Sequence, residues 1–313
     1  MKKIILFIFC FSLLSIASFA QDFQNHVMPS IGFNALQTGE KAFVLTPSVN
    51  LHFMRMKNEG VESSQPDFIM AGAGYSQSCF TCGIGPDQIK RSHGCNLMFN
   101  LAKEKNSFMA MLSAGGELPF SNIKTVTGGV MYSRKIVDKE NLSFDFGGGV
   151  IVADLGLKIA GHDIYVIPLP VFSFTYKNDY LSGTIAVMGP PRIEFKLFPE
   201  SKFRFNSSLG MMNVRSIRDL TFDCAFAYYP LHDTDKGDML SLSLGVMNNQ
   251  TSVVLKDADV YGYQYYSVYG EVNATIVKLR AGYNFDGKAI VKDEFTGEIY
   301  KGFFASLNAM WMF

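Results

Sequence analysis

Charge is scarce in this sequence. Asp, Glu, Lys and Arg make up 18% of 313 residues, against about 25% in a soluble domain. What charge there is balances to zero at pH 7, which withholds the basic footprint that nucleic-acid binding requires. After residue 20 no apolar run approaches the ~18 residues that a transmembrane helix needs. A phosphate-binding glycine loop, a haem-attachment CxxCH and a zinc-protease HExxH are all missing, so no cofactor is expected. What the chain has in quantity is Phe, Gly and aromatics, with 28 Phe, 28 Gly and 14% aromatic residues. That composition suits a wall facing lipid.

The N-terminus reads as a secretory signal peptide. Lys2 and Lys3 give the positive start and Ile4 to Leu14 the apolar stretch. Ser18 and Ala20 are small residues at the −3 and −1 positions, so cleavage is expected before Gln21. Cys10 lies within the apolar stretch behind bulky Ile8 and Phe9, which disfavours lipidation. The expected organisation is a signal peptide over 1–20 and one barrel domain over 21–313.

Strand alternation runs through the mature chain. Phe303, Ala305, Leu307, Ala309, Trp311 and Phe313 form one apolar face, with Ser306 and Asn308 on the other. Leu240, Leu242, Leu244 and Val246 alternate with Ser241, Ser243 and Gly245 in the same way. Period two with unlike faces marks a strand between two solvents. Candidate strands fall near 26–36, 43–55, 67–80, 94–102, 106–115, 123–135, 141–154, 163–176, 179–188, 191–198, 202–213, 220–229, 239–248, 251–256, 262–273, 274–285 and 301–313. Only helices and closed barrels satisfy their backbone in lipid. The expected fold is therefore all-β, an antiparallel transmembrane β-barrel. Some short candidates read as loop fragments, and bacterial barrels have even strand numbers, so about 14 strands are expected within a range of 12–16. A secreted soluble β-fold would alternate too, but its outside would carry more charge.

Two stretches resemble known families. Trp311 and the terminal Phe313 close an alternating strand as in the assembly signal of Gram-negative outer-membrane barrels, read by the insertion machinery. Asn308 stands near the place where that signal often has Gly. From Met131 to Pro191, the elements Met131-Tyr132-Ser133-Arg134, Gly147-Gly148-Gly149-Val150, Tyr165-Val166-Ile167-Pro168-Leu169-Pro170-Val171 and Met188-Gly189-Pro190-Pro191 resemble the later half of the lipid A palmitoyltransferase barrel. The resemblance implies a related barrel and, at Pro168 and Pro170, a gap between strands; read from the residues alone, the two prolines mark a strand start or a bulge. That family has eight strands and uses His, Asp and Ser with the last two adjacent. This chain has no Asp-Ser dipeptide, and Leu112-Ser113-Ala114 stands at the nearest matching strand end. No catalytic residue carries over.

Three groups of residues remain. Cys79, Cys82 and Cys95, with His93, have a spacing that permits a zinc site, but an exported chain favours a disulfide, with three pairings open. Cys224 falls on an apolar face. Asp233-Thr234-Asp235-Lys236-Gly237-Asp238 weakly resembles a calcium loop and reads better as a polar turn. Asp145, Arg192, Glu194, Lys196, Arg204, Asp223, Lys278 and Arg280 share the polar face of their strands, expected to be a lumen network of interleaved signs rather than a single-sign selectivity ring. The leading functional reading is a structural or transport barrel. A lipid-modifying enzyme and a surface-binding barrel are the alternatives. Expected partners are outer-membrane lipid, lipopolysaccharide and the barrel-insertion machinery.

Overall fold

Unbroken alternation commits each segment to a strand, and in the computed structural model those strands close into one antiparallel barrel of 16. The structure describes residues 23–313 apart from 41, 58–66, 85–88, 119–120, 154–157, 160–161, 164–165, 189–190, 212–219, 234–236, 255–259 and 292–293. The expected signal peptide lies outside the described residues. The wall begins with β1 (Phe23–Gln37), β2 (Phe43–Lys57), β3 (Phe68–Ile84), β4 (Ile89–Lys103), β5 (Asn106–Leu118), β6 (Ser121–Lys139) and β7 (Leu142–Ala153). A small hairpin, β8 (Lys158–Ile159) and β9 (His162–Asp163), precedes β10 (Val166–Lys177), β11 (Leu181–Val187), β12 (Pro191–Leu197), β13 (Phe203–Met211) and β14 (Leu220–Tyr228). A second one, β15 (His232–Asp233) and β16 (Gly237–Asp238), precedes β17 (Leu240–Val254), β18 (Val260–Ala274), β19 (Val277–Val291) and β20 (Glu294–Met310).

Every candidate segment overlaps a wall strand. The count of 16 lies within the expected range of 12–16, and it exceeds the central 14 because the short segments near 179–188 and 191–198 are full members, β11 and β12. Conversely, 239–248 and 251–256 are one strand, β17. Closure comes from β1 pairing with β20, from Ser30 opposite Met310 to Leu36 opposite Phe304. Val27 and Phe313 add two reciprocal backbone hydrogen bonds of 3.0 Å, so no edge is left at the seam.

The end of the barrel that holds the chain termini is joined by tight turns. Residues 104–105, 140–141 and 275–276 each connect two wall strands. Glu104 takes φ 53° there, as the first central residue of a primed hairpin turn does, and its amide donates to Asp67 Oδ1 at 2.5 Å. At the opposite, far end the wall is uneven. β11 and β12 have 7 residues each, whereas β17, β18 and β19 have 15. β10 pairs with β7 from Val166 onward but with β11 only from Phe172.

Register fixes the two faces. Ile31 stands opposite Val49, Leu112 opposite Gly128, and Phe226 opposite Leu244. These positions point outward. Phe226, Leu244 and Phe303 are 72%, 73% and 69% exposed, an exposure that apolar side chains avoid in water when they form a continuous band. The inward positions alternate with them. Buried side chains gather on the lumen side, among them Leu36, Val44, Tyr265, Tyr269 and Phe304.

Candidate functional site: the lumen wall

Arg280 organises one arc of the lumen. It sits opposite Glu271 in the β18–β19 ladder, and its Nε donates to Glu271 Oε2 at 2.6 Å. Its other arm donates to Asp223 Oδ2 on β14 at 2.8 Å. The guanidinium lies 4.0 Å from the Tyr269 ring centroid, and the Tyr269 hydroxyl donates to Asp223. Lys278 Nζ adds an ion pair to Glu271 at 3.1 Å. This network spans β14, β17, β18 and β19. Its reach across β17 depends on Gly245, where a Cβ would stand 2.6 Å from Tyr269 Cζ. The glycine gives the tyrosine ring room to lie across the strand.

The remaining expected lumen residues spread around the same side. Arg192 and Glu194 pair with each other along β12 and are largely exposed. Arg204 makes a two-pronged contact with Asp238, at 2.6 and 3.0 Å, and covers the Tyr229 ring at 3.9 Å. That contact gives Asp238 a partner other than calcium. Among the described residues no His, Cys, Asp and Glu group has the arrangement of a metal site. Lys196 stands between Ser182 and Asn206 in the ladder, and Asp145 opposite Lys135 and Ser173. The structure thus joins Arg280, Asp223 and Lys278 in one network and leaves Arg192, Glu194, Lys196, Arg204 and Asp145 apart from it. Glu271 and Tyr269 are the members of that network that the sequence reading missed, while Asp238, read there as part of a polar turn, is the partner of Arg204. Glu271 and Tyr269 carry the period-two signal, because they alternate with outward Val268, Gly270 and Val272.

Each positive group in the Arg280 network has a carboxylate beside it, so the cluster braces the wall and holds little net field. A partly buried network of this kind is stable only while every member is present.

Cys79, Cys82, Cys95 and Cys224 keep free thiols in this structure. Cys79 stands opposite Arg91, while Cys95 stands opposite Tyr75, four residues along β3. That is about 13 Å along the strand, and a disulfide needs Cα atoms within about 7 Å. Bridging Cys95 to Cys79 would require the ladder to slip. His93 is held by the Tyr75 hydroxyl at 2.5 Å. Cys224 faces outward, in hydrogen-bond contact with Ser207 Oγ at 3.1 Å. Trp311 and Phe313 continue the seam: their amides donate to Pro29 and Val27, each at 3.0 Å.

Pro168 and Pro170 point outward from β10, opposite Val150 and Gly148. They lie in the stretch that extends beyond β11, where a missing donor on that side breaks no ladder. The segment 131–191 is part of a wall with twice the strand number of the palmitoyltransferase family. The comparisons give that resemblance no support.

No protein family matches the sequence, nor does any curated protein. Solved structures do match. An outer membrane channel from Pseudomonas putida F1 is 8% identical, over 95% of this chain and 97% of that one, with a TM-score of 0.33. The P. putida toluene transporter TodX is 10% identical, over 95% and 91% of the two chains, with a TM-score of 0.33. The translocator domain of the autotransporter NalP from Neisseria meningitidis is 9% identical, over 95% and 90%, with a TM-score of 0.27. These are likenesses of fold alone.

Proposed function

We propose that the chain is an outer-membrane channel that passes small solutes through its lumen. The observation that carries this reading is the combination of a closed 16-stranded wall with an apolar outward face and an inward face that carries the charged residues. A wall of that strand number is too wide for its own side chains to fill. Among the described residues every long element belongs to the wall, and none forms an inner plug. On this reading the outward band meets lipid and lipopolysaccharide, and the closing strand with Trp311 and Phe313 is what the insertion machinery reads. Balanced charge in the Arg280 network predicts weak ion selectivity. Conductance of the purified barrel in a planar bilayer tests the proposal. Discrete steps with similar cation and anion permeability are expected. Folded protein that inserts without conducting would remove the channel reading and favour a surface-binding barrel.

A further inference from the structure

The register of β1–β6 aligns side chains that the sequence scatters. Across the wall, His26 stands opposite Met54, and Met54 opposite Met70. The row continues through Asn100 and Met109 to Met131. One step toward the far end, Met28 stands opposite His52 and His52 opposite Gly72. That row continues through Met98 to Met111. All of these positions alternate with outward Ile31, Val49, Leu112 and Val130, so they are on the lumen face.

This placement is unlike the Arg280 arc, where inward positions carry Asp223, Glu271, Lys278 and Arg280. Side chains directly opposite each other have Cβ atoms about 4.5–5.5 Å apart, and the methionine chain is long and flexible. Neighbouring thioethers in these rows can therefore turn toward one point. Two further observations concern a ligand. The His52 ring lies over Gly72: a Cβ there would stand 2.9 Å from His52 Nε2. The glycine gives the His52 ring room to lie across β3 toward Met98 on β4. In the adjoining row, the Asn100 side-chain oxygen is buried and has no hydrogen-bond partner. A buried acceptor without a donor is costly, and a water carried in with a bound ion would supply one.

The chemistry of the rows narrows the cation. Thioether sulfur is soft and uncharged and selects monovalent copper, while imidazole also suits copper. The carboxylates that calcium, magnesium or manganese would require are absent from both rows. We propose that the two rows form a soft-metal site for Cu(I), with His52, Met98 and Met111 as ligands and Met70 and Met109 of the adjoining row offering a second position for the ion. That the bound ion is also cargo rests on the channel reading; the binding itself does not.

The test uses the full mature barrel in detergent, in chloride-free buffer, with Ag(I) as a redox-silent soft monovalent probe. Thiols would dominate silver binding, so Cys79, Cys82, Cys95 and Cys224 are first replaced by Ser. Calorimetric titration should show saturable Ag(I) binding that excess Zn(II) does not displace. Met98→Leu with Met111→Leu keeps volume and removes sulfur. It should weaken binding at least roughly tenfold, the scale on which losing ligand support acts, while heat-modifiable mobility on a gel is kept. Should the pair not fold, Met98→Leu alone serves as the second variant, with the same direction of effect. No saturable silver binding, binding unchanged by the Leu variants, or displacement by Zn(II) would overturn the site. KCl conductance on the same preparation separates the two proposals. Silver binding without conductance keeps the site and removes the channel; conductance without silver binding does the reverse.

Discussion

On one side of the lumen, Asp223, Glu271, Lys278 and Arg280 are tied by hydrogen bonds of 2.6 to 3.1 Å. On the other, three adjacent rows crossing β1–β6 hold no Asp, Glu, Lys or Arg. Two of them carry the methionines, and the third runs from Ser30 through Asn50, Gly74, Asn96 and Ser113 to Thr127. The first arc is specified by partners, because each charge needs the other to remain in place. The second is specified mainly by shape and softness; Asn50 Nδ2 donates to Ser30 Oγ at 3.3 Å, but the methionine thioethers carry no charge that needs a partner. One wall can therefore be rigid where it is charged and adaptable where it is neutral. Sensitivity to mutation should differ between the arcs accordingly.

The largest effect is expected at Arg280. Arg280→Leu leaves Asp223 and Glu271 without their cation. Breaking a buried pair costs about 3–5 kcal/mol, and the loss should fall at the low end because the Asp223 side chain is 30% exposed to the lumen. The measurement is the urea midpoint of the detergent-folded barrel. The matching change in the neutral arc, Met98→Leu, should cost less than about 1.5 kcal/mol, as volume-conserving swaps do. Equal losses at the two positions would erase the distinction between the arcs.

Next in size is Gly245→Ala. The added methyl would meet both Tyr269 and the Cys224 carbonyl oxygen, each at 2.6 Å. The backbone oxygen cannot swing aside, so overpacking of about 1–3 kcal/mol is expected. Combining Gly245→Ala with Arg280→Leu should give less than the sum of the two losses, since both disturb the same network. A fully additive double variant would show that Tyr269 does not couple β17 to the charged cluster.

The smallest stability effect is expected from deleting Phe313, whose side chain is 76% exposed. Purified barrel lacking it gives up an exposed side chain and two terminal hydrogen bonds to Val27, the latter about 0.5 kcal/mol each at so exposed a place, so it should refold in detergent with a stability within about 1.5 kcal/mol of the parent. The amount reaching the outer membrane in cells should nevertheless fall, because the terminal strand must be recognised while it is still an unpaired edge. Normal membrane levels would deny Phe313 a role in assembly. Loss of refolding would make it structural.

Much of this architecture is written locally. Alternation in residues such as 303–313 and 240–246 locates strands and faces without any knowledge of neighbours, and the inward parity of Asp223, Lys278 and Arg280 is visible in the same way. Strand number is harder to read. β11 and β12 are too short to stand out from loops, and β17 has polar Asn248, Asn249 and Gln250 in its middle, which splits it in two on paper. The partnerships are harder still. That Arg280 meets both Glu271 and Asp223, or that Met98 faces Met111, depends on register between strands, a long-range property that no single segment carries. The methionine rows also defeat the simplest rule, that apolar residues of such a barrel face outward. Parity shows Met98 sharing a face with Asn96 and Asn100, but only the aligned ladders show that its neighbours do the same.

The central claim, a wide watery lumen with these inward positions, is tested most directly by single cysteines introduced into a barrel whose own Cys79, Cys82, Cys95 and Cys224 are Ser. Ser113 and Ser243 represent the neutral and charged arcs, and Leu112 and Leu244 are their outward neighbours. With the protein in liposomes, a membrane-impermeant thiol reagent should label cysteines at 113 and 243 rapidly and those at 112 and 244 hardly at all. Labelling that ignores this alternation, or protection at 113 and 243 as complete as at 112 and 244, would contradict an open lumen lined in this register.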